Sequence, residues 1–220
     1  MTKIAIDGPA GAGKSTISKK IAKELGYVYI DTGAMYRAVG LKAHKEGIDT
    51  LDSESVISIL DTLDIDIIAS SGEQKIMLDD EDVSSLIRTP EISMAASNVS
   101  KIPEVREALL KLQRSLANDK NVVMDGRDVA TCILPDAEIK IFLTASVDAR
   151  AKRRYDELIQ NGKEVSFEDV KNEMIQRDHN DSTRKVSPLK IDKDATVIDT
   201  SDLTLEESID KIIKYVRENL

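Results

Sequence analysis

A chain of 220 residues with 41% hydrophobic content can bury one substantial core, so a single domain with small insertions is expected and a string of independent modules is excluded. Its 31 basic and 40 acidic residues leave a formal charge of -9, which argues against a broad electrostatic surface for nucleic acid or anionic lipid. Any phosphate must be held locally. No apolar run approaches the roughly 20 residues that span a bilayer, and Met1 to Asp7 enters a strand pattern rather than a signal peptide, so a cytoplasmic location is expected. The single cysteine, Cys132, sits beside Ile133 and Leu134 and reads as a packed residue rather than a nucleophile.

In chain order, Lys3 to Asp7 reads as a short buried strand, followed by a Gly-rich turn and a helical pattern through Ile17, Ile21, Ala22 and Leu25 that ends at Gly26. Tyr27 to Ile30 is a second strand, and Gly33 to Lys45 a second helix ending near Gly47. From Asp64 to Ser84, apolar and polar residues alternate through Ile65, Ile67, Ile76 and Leu78 around a Ser70-Ser71-Gly72-Glu73 turn, which predicts an inserted antiparallel hairpin. Further strands are predicted at Val122 to Met124, Glu138 to Thr144 and Thr196 to Ile198, each followed at some distance by a helical pattern. Such alternation implies an α/β fold with a mostly parallel sheet covered by helices. The charge-rich stretch from Arg150 to Arg184, helical before Asn161-Gly162 and again through Phe167, Val170 and Met174, has the composition of a mobile cover over a phosphate site.

Gly8-Pro9-Ala10-Gly11-Ala12-Gly13-Lys14-Ser15, followed by Thr16, fits G-x-x-x-x-G-K-[ST] at every fixed position. Glycines let the backbone form a nest of N–H groups facing phosphate, and the helix starting near Lys14 adds its positive end. Lys14 is expected to reach the β- and γ-phosphates, and Ser15 to offer its hydroxyl oxygen to Mg²⁺. A strand before the loop and a helix after it weigh against a chance Gly-rich turn. The loop alone does not choose among kinases, GTPases and motor ATPases.

Three clusters bear on the acceptor. Asp31 to Arg37 follows the second strand and places Thr32 near a helix start with Arg37 about one turn on, although a cap and a solvated helix face would look the same. Val122 to Asp125 is an apolar strand ending in a carboxylate, where an acid would orient the water shell of Mg²⁺; Gly126-Arg127-Asp128 then delivers a cation and an acid to the ligand-binding edge of the sheet. Arg177, Asp181 and Arg184 fall at helical spacing and can share a face, a weak signal by itself because exposed ion-paired helices have the same pattern.

Taken in order, the Gly8 to Thr16 loop, Asp31 to Arg37, Ala96-Ser97 to Val105-Arg106-Glu107, Asp125-Gly126-Arg127-Asp128 and Arg177 to Leu189 resemble bacterial cytidylate kinases over nearly the whole chain. The resemblance implies transfer of the γ-phosphoryl group of ATP to CMP or dCMP in pyrimidine nucleotide metabolism. It also implies a P-loop fold with a five-stranded parallel sheet of order 2-3-1-4-5, a small antiparallel β insert at about 63–85 and a helical lid at about 150–184, on a core of 1–62, 86–149 and 185–220. Gly8 to Thr16, with Arg153 or Arg154, would bind ATP. Ser97, Arg106 and Asp128 would read the cytosine side, Arg177 and Asp181 would hold the ribose, and Thr32, Arg37, Arg127 and Arg184 would surround the acceptor phosphate. Lys14, Asp125, Arg127 and Arg184 would be catalytic, with Mg²⁺ on Ser15. Small-molecule substrates are the expected partners, with no nucleic acid, no membrane and a monomeric chain.

Overall fold

The computed structural model describes residues 1–70 and 73–220, so Ser71 and Gly72 of the predicted hairpin turn lie outside the described residues. β1 (Lys3–Asp7) runs into the Gly-rich loop and α1 (Lys14–Leu25), then β2 (Val28–Asp31) runs directly into α2 (Thr32–Lys45). A short α3 (Ser53–Ser58) precedes the insert. After the insert come α4 (Pro90–Val99), α5 (Pro103–Leu116), β6 (Val122–Gly126), one wide π turn (Val129–Ile133), β7 (Ile139–Thr144), α6 (Val147–Gln160), α7 (Phe167–Thr183), β8 (Thr196–Asp199) and α8 (Leu205–Glu218).

The main sheet has the order β2-β6-β1-β7-β8, and every pairing in it is parallel. With only these five strands numbered, the order is 2-3-1-4-5, as expected. Side chains alternate across β1: Ile4 and Ile6 pack with α1 and α8, while Ala5 faces the larger core built with α2, α4 and α5. Burial on both faces is why the central strands read as unbroken apolar runs. All five carboxyl ends, including Asp7, Asp31 and Asp125, lie at one edge.

The insert is a three-stranded antiparallel sheet, β3 (Ile65–Ser70), β4 (Glu73–Leu78) and β5 (Glu81–Asp82), and not a two-stranded hairpin. Asp79 and Asp80, at φ 50 and 64, make the tight turn into β5, a conformation that suits Asp in a two-residue hairpin loop. Two residues are too few for alternation to register. Gln74 binds the insert to the main sheet: its side-chain oxygen accepts from the Asp31 N–H at 2.5 Å, and its Nε2 donates to the Asp31 carbonyl at 3.3 Å. Helices α6 and α7 carry their own small core of Ala151, Leu158, Val170 and Met174, with Tyr155 edge-on to Phe167.

The start of the Gly-rich loop tolerates no side chain. Gly8 has φ +150, and a Cβ there would stand 1.9 Å from the Leu143 carbonyl oxygen on β7. Gly8→Ala is therefore expected to cost about 2 kcal/mol or more of stability through overpacking against backbone. A lowered urea midpoint with an unchanged slope would show it; an unchanged midpoint would mean that the loop and β7 are less closely packed than described.

Candidate active site

A cavity of about 380 Å³ opens at the carboxyl edge of the sheet, between the Gly-rich loop, the start of α2, the end of β6 and the facing side of α7. Beside the Gly-rich loop, α1 begins at Lys14 after Gly13 in the left-handed conformation, and no side chain caps its first turn. Those N–H groups and the helix dipole are thus available to an anion. The Lys14 ammonium, 5% exposed, donates to the Pro9 carbonyl at 2.8 Å. Burial first, then the charge of Arg127, lowers its pKa to about 7, against the opposing pull of Asp125, Asp181 and Asp7. A phosphate beside it would restore full protonation.

Asp125 closes β6. Ser15 Oγ donates to its Oδ2 at 2.9 Å and the Tyr29 hydroxyl donates to its Oδ1 at 2.9 Å. Burial, helped by Asp31, raises the Asp125 carboxyl to about 6, while Lys14 and the two hydroxyl donors pull it down. The Thr32 hydroxyl donates to the Asp125 carbonyl at 2.9 Å and so joins the start of α2 to the end of β6. Thr32 is therefore not the helix cap; Asp31 is, accepting from the Ala34 N–H at 3.1 Å and pairing with Arg37 at 2.7 Å. Burial would raise the Asp31 carboxyl, but the charge and hydrogen bond of Arg37 hold it below the usual carboxylate range. Gly126 must lack a side chain because a Cβ would come within 2.4 Å of Thr32 Oγ1.

After β6, the Asp128 carboxylate takes Arg106 on one oxygen and Arg184 on the other, the latter at 3.3 Å. Arg106 does not line the cavity; it braces Asp128 from behind. Arg127 pairs with Asp181 at 2.8 Å, and Arg184 reaches Asp181 at 3.9 Å. Burial works against the charged form of Asp181, and Arg127 and Arg184 overcome it and lower its pKa. Arg184 departs from the expected helical spacing: α7 ends at Thr183, and Arg184 turns into extended backbone as its cap. Arg177 stays on the helix, with its pKa lowered to about 10 by burial and by Arg127. Ser97, buried on α4, accepts from Asn180 Nδ2 at 3.4 Å.

The structure separates the two adjacent arginines of α6. Arg154 lines the cavity and pairs with Glu157 at 2.8 Å, whereas Arg153 turns away and donates to the carbonyls of Thr200 at 2.6 Å and Leu203 at 3.2 Å. Sequence reasoning passed over other contributors. Arg88 lines the cavity from a turn between the insert and α4 and belongs to no recognisable motif. Arg150, read only as part of a charged stretch, donates to the Ala10 carbonyl in the Gly-rich loop at 2.9 Å and pairs with Asp178 of α7 at 2.7 Å. Asp7 was absorbed into its strand. Its oxygens accept from the N–H groups of Val129 and Ala130 at 2.9 and 2.8 Å, and burial raises its carboxyl to about 6 despite those bonds. A strand-final acid before the loop was the available signal.

Among the described residues no helix is long and apolar enough to cross a membrane, and no three His, Cys, Asp or Glu side chains converge as a metal cage. A solved structure of an uncharacterized protein from Eubacterium ventriosum shares the fold, with a TM-score of 0.55 and 16% identity over 99% of each chain. Curated relatives are closer in sequence. The cytidylate kinase of Caldicellulosiruptor saccharolyticus is 55% identical over 96% of this chain and 93% of its own, and that of Caldanaerobacter subterraneus subsp. tengcongensis is 55% identical over 99% and 95%. With the cytidylate kinase family model also matching residues 4–218, this chain belongs to the cytidylate kinase family.

Proposed function

We propose that this chain transfers the γ-phosphoryl group of ATP to CMP or dCMP, giving ADP and CDP or dCDP. The observation that carries the reading is one buried acid, Asp128, held between Arg106 and Arg184 in the wall of the cavity that Lys14 also lines. Cytosine presents an exocyclic amine that a carboxylate accepts from and a ring carbonyl that a guanidinium donates to. Ser97 supplies a third polar contact on the same side. Arg177 and Asp181 take the ribose, and Thr32, Arg37, Arg127 and Arg184 take the acceptor phosphate.

The acceptor phosphate oxygen is already a nucleophile, so the chain needs no dedicated base. Its work is in-line positioning and neutralisation of the charge that spreads over the transferred oxygens. Lys14 and the Gly-rich loop hold the donor, while Arg127 and Arg184 span the gap to the acceptor. The donor end also fits Mg²⁺: the Ser15 proton is committed to Asp125, which leaves the hydroxyl lone pairs for a hard cation, and the Asp125 carboxylate stands where metal-bound water would donate. A cation held there through Ser15, with Asp125 orienting its water, would supply neutralisation of phosphate charge. Closure of the insert at about 63–85 and the lid at about 150–184, with Arg154 as the lid arginine nearest the donor, excludes water as a competing acceptor. The chain acts as a monomer in the cytoplasm.

An acceptor panel at fixed ATP and Mg²⁺ tests the reading. The expected order in kcat/KM places CMP and dCMP above UMP by about 10-fold or more, because a ring N–H and carbonyl replace the amine that Asp128 recognises, with AMP lower still. Preference for AMP or a non-nucleotide alcohol would overturn it.

A further inference from the structure

Asp128 stands at the N-terminal end of the π turn over Val129–Ile133, where an aspartate ordinarily turns its carboxylate back to cap the first free N–H groups. It does not. Its backbone serves the turn, since the N–H groups of Cys132 and Ile133 both bond to the Asp128 carbonyl, at 2.9 and 3.2 Å, but its side chain makes no capping bond. The capping is done by Asp7, whose two oxygens take Val129 and Ala130 across 122 and 123 residues of sequence. The Ala130 N–H is the donor that a capping Asp128 would claim.

Both acids are almost fully buried, Asp7 at 2% and Asp128 at 3% exposure, so loss of the Asp7 carboxylate leaves two buried N–H groups in need of a new acceptor. Asp7 lies in register with Gly126, two residues before Asp128, and Val129 packs close against Gly126. An N-cap aspartate can serve an orphaned Ala130 N–H by rotating its side chain back onto the turn. That rotation would take Asp128 from Arg106 and Arg184.

We propose that Asp7 is a positioning residue for the acceptor site: by capping the π turn in place of Asp128, it keeps the Asp128 carboxylate facing the cavity and available to the acceptor base. The inference rests on the acceptor reading above. It also gives the strand that leads into the donor loop a direct hold on the acceptor loop, because Asp7 is followed at once by Gly8.

The test is a double-mutant cycle with separate donor and acceptor constants. Asp7→Ala is expected to raise KM for CMP by about 10- to 100-fold, the scale of one lost two-point base contact, while KM for ATP moves by less than about 3-fold. In an Asp128→Ala background the same change should add almost nothing to the loss in acceptor kcat/KM, because the group it positions is gone. Equal loss for both substrates, or full additivity, would reduce Asp7 to a packing role and overturn the proposal. Asp7→Asn, which keeps volume and one acceptor oxygen, carries the same cycle if the alanine variant folds poorly. A readout without substrate stands apart from the CMP assignment: in a crystal structure of the variant, an Asp128 oxygen within hydrogen-bond distance of Ala130 N supports the inference, and an unmoved Asp128 overturns it. Failure of the unmodified chain to use CMP would instead count against the acceptor reading.

Discussion

Lys14→Ala is expected to lower kcat by about 10²- to 10³-fold, the usual loss when one preorganised donor to developing charge is removed. Lys14 is held for this role by its surroundings: the ammonium rests on the Pro9 carbonyl, at the first position of α1, in the wall of the cavity. Burial and Arg127 already work against its charge, so the folded chain carries a strained cation that a polyphosphate relieves. Loss of the disfavoured charge and loss of the bond to the Pro9 carbonyl act on stability in opposite directions, so the thermal midpoint should move far less than kcat. Near-unchanged transfer with unchanged ATP affinity would remove Lys14 from the donor machinery.

Asp128 is the second large effect, and here activity and stability fall together. Removing the acid leaves Arg106 and Arg184 buried without their shared counter-charge, which costs about 3 kcal/mol or more in pairs of this kind. Asp128→Ala is thus expected to lose the CMP reaction by about 10²- to 10⁴-fold in kcat/KM and to unfold at lower temperature. Asp128→Asn separates the two contributions. It keeps an oxygen for one guanidinium and the volume of the site, but its NH₂ meets donors where the acid met them as an acceptor, so acceptor kcat/KM should still fall steeply while ATP affinity, measured by equilibrium binding, holds within about 3-fold. A parallel fall in ATP affinity would show that the variant had disturbed the fold rather than the recognition of the base.

What could be read from the chain follows how far apart the cooperating residues lie. The Gly8 to Thr16 loop is contiguous, and its meaning is carried by spacing alone; the central strands β1 and β6 are apolar on both faces and stand out for the same local reason. The antiparallel insert was legible down to β4, but β5 was not, since two residues give no period. Cooperation across 93 residues or more left little local trace. Thr32 could be a cap or a bridge until the Asp125 carbonyl was placed beside it. Arg184 kept its reach to Asp181 although the helix ended one residue earlier than its spacing assumed. Arg153 and Arg154 are neighbours of identical type, and only the rotation of α6 decides which faces the cavity. Asp7, whose partners lie over 120 residues away, looked like the end of a strand and nothing more.

The arginines around the cavity are not loose cations: Arg37 is paired with Asp31, Arg127 with Asp181 and Arg184 with Asp128. Each guanidinium thereby has a carboxylate partner before any nucleotide arrives, and the interleaved acids offset part of the mutual repulsion. The entropy lost in ordering these long side chains falls on folding rather than on association. An arriving phosphate need only be a better partner than the carboxylate it supplements. Small anions with a single charge gain little from such a self-neutralised cradle, so a chain carrying this many arginines at one mouth can remain unfouled in a salty solution and still close firmly on a dianion.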